Sequence, residues 1–105
     1  MERDKRLDYK KGTAIRILHE WKNVVAEADR GSNVAITLLM DLELAFVNAK
    51  LTNKQYKALE LTYYYGYSKR DAALIFGISE QGFAGVLTRA VDKIVDVYNK
   101  WEELT

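Results

Sequence analysis

Residues 66 to 90 read GYSKRDAALIFGISEQGFAGVLTRA, and within that stretch lie two helix starts, a glycine stop and an apolar pattern that serves both helices. Ser68 with Asp71 three residues later predicts a capping box, and Ser79 predicts a second cap with Glu80 in the turn where the helix dipole favours a carboxylate. Ala72, Ala73, Phe76, Ile78, Phe83 and Val86 are spaced so that two short helices cross with their apolar faces together. A larger residue at Ala73 would hold them apart, and Gly77 stands where the chain must reverse, a turn that often needs positive φ. This is the spacing of a helix-turn-helix.

The 105 residues contain no proline and only six glycines, so helices can run unbroken between a few clear stops. The expectation is an all-α chain of about five helices. A first helix from about Thr13 to Asp29 follows from Ala14, Ile17, Leu18, Trp21, Val24, Val25 and Ala28, and the charged segment before it is expected to fray. Ser32 caps a second helix reaching about Asn48. Thr52 and Gln55 form a capping box that opens a third, ending near Gly66. The fourth runs from Ser68 to Gly77, and the fifth continues from Ser79 through Phe83, Leu87, Ala90, Ile94, Trp101 and Leu104 towards the C-terminus. Residues 1–50 then form an N-terminal helical hairpin for packing or oligomerisation, and residues 51–105 carry the helix-turn-helix, the two making one compact unit.

The second helix has two apolar faces. Ala35, Leu38, Leu39, Leu42, Ala45 and Phe46 make one stripe, while Ile36, Met40, Leu44 and Val47 fall outside it. Either this is the central helix of the fold or its second face meets another subunit. A homodimer through Leu42, Phe46, Ile94 and Trp101 is one expectation.

Composition narrows the function. Without cysteine there is no disulfide, thiolate metal site or cysteine nucleophile, and a reducing, cytoplasmic setting is the default. No apolar run approaches the roughly 20 residues of a membrane span, and MERDKRLDYKK lacks the apolar stretch of a signal peptide. His19, the single histidine, has no partner at ligand spacing, so neither a metal nor another cofactor is expected. No constellation supports catalysis. The net charge is +1, and residues 51–105 balance seven basic against seven acidic residues, so any nucleic-acid binding must use a local basic face.

Residues 51 to about 98, with the words LTNKQYKALELTYYYGYS, KRDAALIFGIS and LTRAVDKI, resemble region 4 of the sigma-70 type RNA polymerase sigma factors. The whole chain is similar to the small sigma-like helix-turn-helix regulators of phages and prophages of Gram-positive bacteria, including late-gene activators of the ArpU and RinA type. The resemblance implies that the helix opened at Ser79 enters the major groove of promoter DNA, and that RNA polymerase is a second candidate partner. It departs at Gly82, where threonine is usual, at Ala84 and Gly85, where polar or basic residues are usual, and at Arg70, where an acid is common.

Helical geometry places Ser79, Glu80, Gln81, Ala84, Gly85 and Thr88 on the outward, base-reading face. Gln81 can bond adenine in bidentate fashion, and Thr88 or Ala84 can touch a thymine methyl. Lys69 and Arg70, in a first turn where the dipole disfavours them, can clamp a phosphate, with Arg89 and Lys93 gripping the backbone farther along. Ordinary polar residues on a solvated face are the alternative. The sequence therefore points to a DNA-binding transcription regulator; the competing readings are a protein adaptor that binds RNA polymerase and the DNA-recognition small subunit of a phage terminase.

Overall fold

A computed structural model describes residues 12–103 of the chain. The charged start and Leu104 lie outside the described residues. Every regular element among these is helical: α1 (residues 12–19), α2 (Trp21–Asp29), α3 (Asn33–Asn48), α4 (Asn53–Leu59) with its π-helical continuation Glu60–Tyr64, α5 (Lys69–Phe76) and α6 (Glu80–Glu103). They form a flat body of 41 × 40 × 22 Å.

The caps lie where local chemistry puts them. Ser32 Oγ accepts from the Ala35 amide at 3.2 Å, and Gly31 reverses the chain before it at φ +91°. Thr52 Oγ1 accepts from the Gln55 amide at 3.1 Å while Gln55 Oε1 accepts from the Thr52 amide at 3.0 Å, a complete capping box. Ser68 accepts from the Asp71 amide at 3.1 Å, the forward half of the box expected there, with Asp71 in the first turn.

The helix count differs from the expected five for an identifiable reason. The first expected helix is divided at Glu20, whose φ of −89° and ψ of 0° flatten one turn although the Glu20 amide still donates to the Arg16 carbonyl at 2.9 Å. The third ends not as α-helix but as a π-turn: the Tyr65 amide reaches the Glu60 carbonyl at 3.0 Å, five residues back. The wide turn lets Leu61 join Ala58 and Leu59 in the core while Tyr64 swings onto Trp21, ring centres 5.3 Å apart, and Tyr63 onto His19, 5.0 Å apart.

One hydrophobic core runs through both halves of the chain, joining Leu18, Trp21, Leu42 and Ala45 to Leu59, Phe83, Leu87 and Ile94. Trp21 anchors it, with Phe46, Tyr56 and Tyr64 around its ring, whereas Trp101 packs on Tyr98. The long α6 lies across α3, α4 and α5, so the second half of that helix finds its partners within the chain.

Two expectations change here. Leu42 and Ile94 are fully buried, and Phe46 and Trp101 pack against the same core, so these four cannot form a dimer surface. Nor is α3 a central helix. Its Ala35–Leu42–Ala45 stripe faces the core, and Ile36, Met40, Leu44 and Val47 are exposed on the opposite side.

Candidate nucleic-acid interface

The candidate surface is built by α5, the turn after it and the first three turns of α6. Ala72 and Ala73 are buried, which allows α5 to approach α6 closely, and the Phe76 and Phe83 rings meet edge to face at 5.2 Å and 88°. Gly77, at φ +70° and ψ +32°, closes α5 with a Schellman motif: its amide donates to the Leu74 carbonyl and the Ile78 amide to the Ala73 carbonyl, both at 3.1 Å. The chain turns sharply and opens α6 two residues later.

Ser79 begins α6. Its Oγ accepts from the Gly82 amide at 3.0 Å and its carbonyl from the Phe83 amide at 2.9 Å, so its side chain is engaged in the cap. A Cβ placed on Gly82 would stand 3.1 Å from that Oγ, which gives a steric reason for glycine beside this cap. At Gly85 nothing lies within 4 Å, so packing does not require glycine there.

Glu80, Gln81, Thr88 and Arg89 are exposed, and Ala84 and Gly85 are half-buried between them. Lys69 and Arg70 are exposed at the start of α5. The fold brings Lys69 beside Thr88: both line a pocket of about 260 Å³ together with Tyr63, Leu87, Val91 and Asp92. Burial raises the Tyr63 hydroxyl pKa above its already high ordinary value. Asp92 ends the outward line that starts at Gln81 and passes through Thr88. Its carboxylate limits an anion-binding surface to the first turns of α6.

Lys93 does not belong to this surface. Its Nζ donates to Gln55 Oε1 at 2.8 Å and to the Lys50 carbonyl at 3.5 Å, and its side chain is half-buried between α6 and the start of α4. The expected phosphate clamp therefore reduces to Lys69, Arg70 and Arg89. Arg89 and Lys93 are one turn apart in sequence, yet only Arg89 turns away from α4.

A further feature escaped the sequence reading: Leu74 and Ile75 are exposed on α5, and Ile78, expected to pack between the two helices, is instead exposed in the turn next to the α6 start. The signal was present, because Leu74 and Ile75 lie off the Ala72–Ala73–Phe76 stripe and so had to face elsewhere. Among the described residues there is no group of three or more histidine, aspartate or glutamate side chains arranged to hold a metal ion, and no helix is long and apolar enough to cross a membrane. Compared with protein-family models, curated proteins and solved structures, the chain finds no match.

Proposed function

We propose that this protein is a DNA-binding transcription regulator of the sigma-like helix-turn-helix kind, presenting the start of α6 to the major groove and Lys69, Arg70 and Arg89 to the phosphates. One observation carries the reading: Gln81 and Thr88 stand exposed on one side of α6, with Lys69 beside Thr88 and Arg70 and Arg89 also exposed on α5 and α6, while the opposite side of the same turns is core. Gln81 supplies a bidentate donor and acceptor for adenine, and Thr88 a methyl and hydroxyl for the next contacts. Ala84 and Gly85 add little beyond close approach, so base recognition is narrow and backbone contacts supply most of the affinity.

Selection of bound fragments from random duplex DNA tests this. The wild type enriches a short motif, Gln81→Ala binds with a relaxed preference at one position, and Arg89→Ala binds every site more weakly. Enrichment of no motif, together with equal binding of single strands and duplex, refutes the proposal.

The exposed Leu74, Ile75 and Ile78 favour a second reading, a surface of the same motif that docks on a protein such as RNA polymerase. Loss of polymerase capture by Ile75→Glu with DNA binding intact supports that role.

A further inference from the structure

We infer that the outer face of α3 pairs, in parallel, with α3 of a second copy of this chain, joining two molecules about a two-fold axis that runs along the helix. The first observation is exposure. Ile36, Met40, Leu44 and Val47 are 38%, 63%, 51% and 73% exposed, on the side of α3 away from its buried Ala35, Leu42 and Ala45. With ordinary residue areas those fractions amount to roughly 450 Å² of exposed surface, hence at most about 900 Å² from two copies before any rim is counted, against the roughly 1,000 Å² that a specific interface exceeds.

The second observation is periodicity. Asn33, Thr37, Met40, Leu44 and Val47 follow one another at steps of four, three, four and three, the 3.5-residue repeat of a coiled-coil seam. Two copies of a strip with that period can interlock side by side as paired helices do. Its one hydroxyl is already provided for: Thr37 Oγ1 donates to the Asn33 carbonyl at 3.1 Å, so burying Thr37 strands no donor.

Charge chooses the partner's direction. In an antiparallel pair of identical helices, Asp41 would oppose its own counterpart and Glu43 likewise, two like-charge contacts at the axis. In a parallel pair Asp41 lies beside Ile36 of the other copy and Glu43 beside Asn48, and no like charges meet. A second copy in parallel thus satisfies the apolar seam and its acidic margins together, and this dimer stands whether or not the protein binds DNA.

The absence of cysteine makes the test direct. Leu44→Cys, a single thiol on the seam, should cross-link to itself under mild oxidation at about 50 μM protein. Val34→Cys, more exposed than Leu44 but off the seam, should not. Sedimentation equilibrium should find a wild-type dimer whose dissociation constant rises at least about tenfold in Leu44→Glu, with helix content unchanged by circular dichroism because the site is exposed. A wild type that stays monomeric to about 500 μM, or a dimer indifferent to Leu44→Glu, overturns the inference. Cross-linking only when Met40→Cys and Leu44→Cys are mixed overturns the parallel arrangement.

Discussion

Lys93 Nζ donates to Gln55 Oε1 at 2.8 Å, and that oxygen is the same one that accepts the Thr52 amide in the α4 capping box. A lysine near the middle of α6 therefore holds the start of α4 from 38 residues away. Replacing Lys93 with methionine keeps the apolar stem and removes the charge, and should lower stability by about 1 kcal/mol in urea unfolding. DNA affinity and its salt dependence should not change, since the ammonium already has its partners. A double-mutant cycle with Gln55→Ala should show the two losses to be non-additive.

Arg89→Ala should behave in the opposite way. Stability stays within about 0.5 kcal/mol, as for an exposed side chain, while DNA binding weakens on all sequences alike. The slope of log affinity against log salt should become shallower by about 0.9 per molecule of protein bound. With Lys69, Arg70 and Arg89 each on a phosphate, a monomer should lose affinity by about 40-fold between 50 and 200 mM salt, and a dimer with six such contacts by about a thousandfold. Titrations by fluorescence anisotropy at several salt concentrations distinguish the two.

The glycines of the turn and the α6 start should respond differently to alanine. At Gly77, with φ +70°, alanine should cost about 1 to 2 kcal/mol. At Gly85, helical and with open space around it, alanine should add about 1 kcal/mol of stability. At Gly82 the same helix-propensity gain is offset by the 3.1 Å approach to the Ser79 cap, so the net change should be smaller than at Gly85. Thermal or urea unfolding of the three variants checks the order.

The contrast between Ser79 and Lys93 shows which parts of the molecule were legible in the chain. Caps at Ser32, Thr52, Ser68 and Ser79 and the stop at Gly77 depend on residues within five positions of one another, so short-range chemistry is enough to find them. The partner of Lys93 depends on how α6 crosses α4, and spacing along one helix does not report that. Helix α3 failed for a related reason: both faces are apolar, so its periodicity is silent on which one meets the core. Large residues marked Met40 and Leu44 as equals of Leu42, and only the approach of α2 and α6 decides between them. The π-turn at Glu60–Tyr64 has no residue signature in the run ELTYY; it follows from tertiary packing of Leu61 and Tyr64.

Tyr98 joins α6 to α3 in a way that pH should reveal. Burial, followed by the nearby Asp41 carboxylate, pushes its hydroxyl up to about 12, and that oxygen is buried without a hydrogen-bond partner. In the unfolded chain a tyrosine ionises near about 10, so between roughly pH 10 and 12 the unfolded state holds fewer protons than the folded one. Stability contributed by the neutral phenol is thus complete below pH 10 and falls as pH rises towards 12. Tyr98→Phe should flatten much of that alkaline decline, leaving the part owed to Tyr56 and Tyr63, whose hydroxyls burial also raises. At pH 7 the same substitution removes an unpartnered buried hydroxyl and should leave stability unchanged or increase it by up to about 1 kcal/mol. Urea midpoints of both proteins from pH 7 to 11.5 provide the measurement. A steeper alkaline loss in the phenylalanine variant would show the opposite sign, a folded state that stabilises the Tyr98 phenolate, and would overturn this account.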